Sequence, residues 1–256
     1  MKTRMNERIR EILLKNAARY ETAAFLEGDP SSFMHRVKGE ANKEAMAFVA
    51  SSLSFGARKQ FMAKIEFIQK ESRGEMDRWI REGGFRNIFD ASSTDCFYRF
   101  YKVSDFAAFL EVYRALMRDE GSLGEYVKKN ARGDGVRAVE AISGYFSSRG
   151  VEGIIPKDSK SACKRLCMFL RWMVRANSPV DLGLWAPFID SRSLAMPLDT
   201  HVLRQAKALG LIKENSSPSM RTARALSEKL SEVFCDDPLR GDFALFGYGV
   251  NSLGAT

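Results

Sequence analysis

Four cations in the middle of the chain, Lys160, Lys164, Arg171 and Arg175, stand at offsets of 0, 4, 11 and 15. That places them near one stripe of an α-helix, with Met168 in the gap. Cations so arranged suit a row of phosphates, and such contacts position a polyanion without reading its sequence. The free N–H groups at the start of the same helix add a further phosphate site. Asp199 follows downstream in Met196-Pro197-Leu198-Asp199-Thr200-His201-Val202-Leu203-Arg204. Taken alone, an aspartate in that setting is an N-cap, because its carboxylate accepts the free N–H groups of a starting helix. Lys164 taken alone reads equally well as a phosphate-binding lysine, and the adjacent Arg165 leaves a one-position ambiguity. His201 reads as a helix-start or nucleic-acid contact residue. With His35 the only other histidine, a histidine-based metal site has little support, and no metal is expected.

The charge balance sharpens the polyanion reading. The 256 residues carry 40 Lys+Arg against 32 Asp+Glu, a net +8. Between Lys157 and Lys213 there are ten Lys/Arg and four Asp/Glu, so most of the excess lies in less than a quarter of the chain. A concentrated basic surface points to DNA or RNA, and a plain solvated helical face is the open alternative. A hydrophobic fraction of 45% with 11% aromatics excludes a disordered, collagen-like or coiled-coil chain. No stretch approaches the roughly 18 to 20 apolar residues of a membrane helix, and no apolar run follows Met1. Four cysteines, with Cys163 and Cys167 four apart on one helix, do not make a disulfide framework. A soluble, reduced, cytoplasmic protein is expected, with no membrane partner.

The elements that must position these residues are helical. Apolar residues recur at helical spacing in Ile9, Ile12, Leu13, Ala17, again in Phe48, Val49, Leu53, and in Phe61, Ile65, Phe67 and Ile68. Phe106, Phe109, Leu110, Tyr113, Leu116 and Met117 follow Ser104, which reads as an N-cap. Val136, Val139, Ile142 and Phe146 form a stripe ending at Gly150. Ser217-Pro218 reads as N-cap and first turn of a helix carrying Ala223, Leu226, Leu230 and Val233. No alternating strand pattern stands out, so the expectation is an all-α protein of about ten to twelve short helices. Around the cations the topology reads as helix, hairpin, helix. One helix ends near Gly150, a turn spans Gly153 to Asp158, and a second helix starts near Ser159 or Lys160.

Here the residues meet a family. Leu198 to Leu211 resembles the V-D-T-H-V-x-R-x-x-x-R-L-G-L segment of the helix-hairpin-helix DNA glycosylases, the endonuclease III superfamily. Cys163-Lys164-Arg165-Leu166-Cys167-Met168-Phe169-Leu170 resembles that family's R-K-T-A-N-V-V-L segment, which carries the catalytic lysine. Phe48-Val49-Ala50-Ser51-Ser52-Leu53-Ser54 is similar to the apolar helix and L-S turn that open its inner domain. The signature K-R-L-x-M-F-L-R-W-M-V-R with P-L-D-T-H is similar to a bacterial family of uncharacterised proteins, related in turn to the archaeal 8-oxoguanine DNA glycosylases. Three departures accompany the likeness. The L-P-G-V-G hairpin is replaced by Ile155-Pro156-Lys157-Asp158-Ser159-Lys160. Lys164 and Asp199 are separated by an added Ser178-Pro179-Val180-Asp181-Leu182-Gly183-Leu184-Trp185. The C-terminal four-cysteine cluster motif is missing, so no iron–sulfur cluster, and no other cofactor, is expected.

The resemblance implies a two-lobed all-α fold with DNA bound in the cleft between the lobes. The inner domain would span 44–195, with the helix-hairpin-helix at about 136–176, and 1–43 plus 196–256 would form the other. It implies a base-excision glycosylase with β-lyase activity, first of all on 8-oxoguanine. Lys164 would be the nucleophile that forms a Schiff base, its pKa lowered by Arg165 and Arg171. Asp199 would stabilise the oxocarbenium charge and manage protons. The damaged base must be flipped out of the duplex to be reached. Lys160, Arg171, Arg175, His201 and Arg204 would contact DNA, with Arg58 and Lys59 beside them or filling the gap left by the flipped base. Asp242-Phe243-Ala244-Leu245-Phe246-Gly247 resembles an Asp-x-x-x-aromatic base-pocket segment. Asp242 would bond a purine edge and Phe246 stack on it, and the alternative is a core helix with one solvated aspartate. Trp172 and Trp185 are stacking candidates or core residues. The partner would be double-stranded DNA carrying a damaged base, bound by a monomer in the bacterial, nucleoid-associated cytoplasm. The competing reading is a non-catalytic nucleic-acid-binding protein of the same fold.

Overall fold

A computed structural model describes residues 5–253, of which 251–253 are described by backbone only. Twelve α-helices are present among them. They are α1 (Glu7–Tyr20), α2 (Ser32–His35), α3 (Glu40–Leu53), α4 (Arg58–Glu71), α5 (Met76–Arg81), α6 (Val103–Glu120), α7 (Leu123–Ala131), α8 (Gly135–Ser147), α9 (Lys164–Val174), α10 (Thr200–Ala208), α11 (Met220–Leu230) and α12 (Arg240–Leu253). The all-α expectation holds. The one addition is a small antiparallel hairpin of β1 (Cys96–Tyr98) and β2 (Tyr101–Lys102), too short to show an alternating pattern in the sequence. No helix among the described residues is long and apolar enough to cross a membrane.

The chain divides into two compact units, one of residues 5–27, 133–136 and 159–253, the other of 28–132 and 137–158. This division runs differently from boundaries at 44 and 195, because 28–43 group with the second unit and 159–195 with the first. The second unit is built on an aromatic cluster. Phe48 of α3 meets Phe109 and Tyr113 of α6 and Phe146 of α8 at centroid distances of 4.9 to 5.6 Å. In the first unit α9 is the buried core helix, enclosed from Leu166 to Val174. There α1 and α10 pack on α12. Gly247 allows the α1–α12 approach, since a Cβ there would lie 2.2 Å from the Tyr20 ring and 3.1 Å from Asn16 Cβ.

Three helix starts differ from the sequence reading. α6 begins at Val103, and its first turn is closed by Asp105 accepting the Lys102 N–H at 2.8 Å. α11 is capped by Ser219, which accepts the Thr222 N–H, and Ser217 is reached only through its carbonyl. α9 starts at Lys164 after an irregular run in which Cys163 takes a left-handed φ of 45°. Lys160 therefore lies ahead of the helix, not on its stripe. Helix-compatible residue types at 159–163 hide this, because the run is irregular in backbone conformation and not in composition.

Candidate active site

Arg171 and Arg175 follow Lys164 by two and three turns of α9, so the three share a flank. Exposure falls steeply along it, from 34% for the Lys164 side chain to 5% for Arg171 and 1% for Arg175. The stripe is a cationic seam that begins at the surface and runs into the core. Buried guanidinium groups must be matched by carboxylates, and these are. Arg171 Nε donates to Asp181 at 3.2 Å and its Nη1 to Asp242. Arg175 donates to both oxygens of Asp237 at 2.7 Å, to Glu21 at 2.5 Å and to Asp181. Arg240 completes the set with a 2.7 Å bond to Glu21. The Phe243 ring lies under both guanidiniums, 4.7 Å from Arg171 Cζ and 5.3 Å from Arg175 Cζ.

Arg171 and Arg175 are thus not phosphate ligands, which corrects the sequence reading. Their charge is neutralised inside the protein, and neither head reaches solvent. For Trp172 and Trp185 the core alternative is the one realised: both are buried, Trp185 edge-on to Phe169 at 5.1 Å, and neither offers a face to a base. The segment that lengthens the chain between Lys164 and Asp199 has a structural role. Leu182 N–H bonds the Trp172 carbonyl at 2.7 Å and Trp185 N–H bonds that of Met173 at 2.6 Å, capping the end of α9. It also delivers Asp181, the carboxylate shared by the two arginines. Gly183 turns there with φ 67°, its Cα facing Ala176 so closely that a Cβ would meet backbone at 2.9 Å.

At the open end of the seam Lys164 meets Asp199. Asp199 divides its oxygens: Oδ1 accepts the N–H groups of His201 at 2.9 Å and Val202 at 2.8 Å, and Oδ2 faces Lys164 Nζ at 3.8 Å. The first is the N-cap expected for an aspartate starting a helix. The second is an ion pair too long to be a hydrogen bond, between two groups about one-third exposed. The family-like Leu209-Gly210-Leu211 proves to be a helix stop. Gly210 turns at φ 64°, with Gly210 N–H on Lys207 and Leu211 N–H on Ala206 carbonyls.

Asp242, in the first turn of α12, joins this end from beneath. It is not a solvated aspartate: its side chain is largely enclosed and Arg171 donates to its Oδ2. Burial pushes its carboxyl above the ordinary range and the charge of Asp199 adds to that, against the pull of Arg171 and Lys164. Phe246, one turn along α12, is exposed, edge-on to Tyr20 at 5.6 Å and Phe25 at 5.1 Å. His201 and Arg204 are exposed on α10, Arg204 Nη2 lying 3.5 Å from His201 Nδ1. Lys160 is exposed before α9. Arg58 and Lys59 are exposed at the start of α4, in the second unit. Glu21, Asp181 and Asp237 went unread in the sequence. Two arginines four residues apart on an otherwise apolar helix were the one available signal that carboxylates must be brought to them.

Residues 29–251 match the family described as "Protein of unknown function (DUF2400)". The chain belongs to the DUF2400 family. Comparison with curated proteins and with solved structures gives no match. The matched span takes in Lys164, Asp199 and all of the carboxylates of the DUF2400 seam except Glu21. Chemically, the surface end of the seam offers an amine, a carboxylate with one oxygen uncommitted to capping, and a second carboxyl held by an arginine.

Proposed function

We propose that this protein is a base-excision DNA glycosylase with β-lyase activity, acting on duplex DNA through a flipped damaged base, 8-oxoguanine first. The observation that carries the reading is the 3.8 Å approach of Lys164 Nζ to Asp199 Oδ2, with Oδ1 fixed by two backbone N–H groups. The helix-hairpin-helix identity of residues about 136–176, and the DNA cleft that goes with it, are part of the same proposal.

In the proposed reaction the neutral Lys164 amine bonds to C1′ as the glycosidic C–N bond breaks. The base leaves with the bonding electrons and takes up a proton. Asp199 balances the positive charge that grows on the sugar, and then the cation formed on nitrogen. The nitrogen then loses a proton and its lone pair breaks the C1′–O4′ bond, O4′ taking up a proton as the ring opens to a Schiff base. Removal of a C2′ proton forms the C2′–C3′ double bond and expels the 3′-phosphate. His201, Arg204 and Lys160 are exposed, and in this reading they pair with the phosphates that flank the sugar. In this reading Asp242, held by Arg171, is the carboxyl that would meet the excised base.

The test is covalent trapping. Duplexes carrying 8-oxoguanine, other oxidised or deaminated bases, or an abasic site are incubated with the protein and borohydride. A protein–DNA adduct is expected with at least one of them and is expected to vanish in Lys164→Gln. Tight binding with no adduct or cleavage on any duplex would instead support the non-catalytic nucleic-acid-binding protein.

A further inference from the structure

The second unit carries a surface whose composition the fold alone does not explain. The β1–β2 hairpin turns through Arg99 and Phe100, and Tyr98 and Tyr101 are the last paired residues. Two-residue hairpin turns favour glycine or asparagine where a turn residue takes a left-handed backbone. Here Arg99 adopts φ 55°, a conformation that disfavours a long side chain. Phe100 beside it is 68% exposed, the most exposed of the large hydrophobic side chains among the described residues. The tip is nevertheless built, not loose. Tyr98 donates its hydroxyl to the Phe55 carbonyl, the Phe55 ring lies 5.4 Å from Phe100, and Arg99 Cζ lies 5.8 Å from Phe55. Gly56 makes room for Arg99, since a Cβ there would come 2.6 Å from its Nη1.

An open groove of about 690 Å³ runs between this tip and α4, lined by Gln60, Ala63, Lys64, Phe97, Tyr98, Arg99 and Phe100. Lys64 Nζ stands 4.9 Å over the Phe97 ring. No carboxylate lines the groove. Among the described residues Arg58, Lys59, Lys64 and Arg99 have no ion-pair partner. Exposed rings next to unmatched cations are complementary to a molecule that is flat and apolar in one part and anionic in another. Stacked bases inside a duplex present only their edges, so along a strand the π-face that Phe100 would pack against is offered by an unpaired base.

We propose that the Arg99–Phe100 hairpin tip and the adjoining α4 groove form a stacking platform for an unpaired base of single-stranded nucleic acid, with Arg99 and Lys64 holding its phosphates. The proposal stands apart from the chemistry assigned to Lys164 and needs no lesion.

The full-length protein is titrated into fluorescein-labelled oligothymidylate and into an oligomer of equal length built from tetrahydrofuran abasic analogues, with anisotropy as the readout. Aromatic stacking gives about five- to hundredfold in affinity per base. Oligothymidylate should therefore bind more tightly than the abasic strand by a factor in that range. Phe100→Ala and Phe100→Leu should lose that margin, and Phe100→Trp should keep it. Arg99→Ala and Lys64→Ala should each lower the slope of log affinity against log salt by about 0.7. Equal binding of the two strands, unchanged oligothymidylate binding in Phe100→Ala, or no binding at low salt would each overturn the proposal. Because oligothymidylate carries no damaged base and the tetrahydrofuran strand has no C1′ aldehyde to form a Schiff base, the result is independent of whether Lys164 is a nucleophile.

Discussion

Asp199 shows how one residue can meet a local structural need and remain available for chemistry. An N-cap needs one acceptor oxygen, and Oδ1 provides it to two N–H groups; Oδ2 is left facing Lys164. The two roles respond differently to substitution. Asparagine caps about as well as aspartate, while alanine loses the cap at about 1 kcal/mol. Asp199→Asn should therefore leave the urea midpoint close to that of the parent, while Asp199→Ala lowers it. If the carboxylate charge acts on the reaction, both should slow single-turnover cleavage of the trapped substrate by about 100-fold or more. Full turnover in Asp199→Asn would reduce Asp199 to a cap and remove the main support for the glycosylase reading.

At the scale of the element, α9 was legible as a helix and as the carrier of a cationic stripe, because both follow from spacing along one segment. Its burial was not, and neither was its start. Glu21, Asp237 and Asp242 lie far from α9 in sequence, and no local pattern says that they converge on Arg171 and Arg175. The Lys164–Asp199 approach was legible only through family likeness, since the two share no element. The corrected role of Arg175 has a direct consequence. Removing this buried guanidinium leaves Asp237 without its cation and Asp181 and Glu21 with one each, Arg171 and Arg240, a loss of about 3–5 kcal/mol for a broken buried pair. Arg175→Gln should lower stability on that scale in urea unfolding followed by circular dichroism. Asp237→Asn, which leaves Glu21 and Asp181 in place, should cost less. A phosphate-binding arginine behaves in the opposite way: its loss hardly changes stability and lowers the salt slope of duplex binding by about 0.9. That slope should be unchanged in Asp237→Asn.

Over the whole molecule, counting charge overstated the basic surface. Of the ten cations between Lys157 and Lys213, Arg171 and Arg175 are buried and matched, and Arg192 is held by Asp190 at 2.8 Å. The seam that removes them from the surface also shapes the acid response. Burial raises the carboxyls of Asp181 and Asp242, whereas hydrogen bonds lower those of Asp90, Asp119 and Asp190. The two groups act with opposite sign. A lowered carboxyl adds stability above its unfolded pKa that is lost as pH falls. A raised one retains in the native state a proton that the unfolded chain has already released. Its contribution is complete below the unfolded value of 3.8 and is lost as pH rises through the folded pKa. Comparing the parent with Asp242→Asn cancels the shared groups and isolates this one, because the amide keeps an acceptor for Arg171 but cannot titrate. Urea midpoints across roughly pH 3 to 7, spanning the carboxylate range, should show the parent's advantage over the variant largest at the acid end and shrinking as pH rises. An advantage that instead grew with pH would mean that Arg171 outweighs burial, and that Asp242 enters the site as a permanent anion beside Asp199.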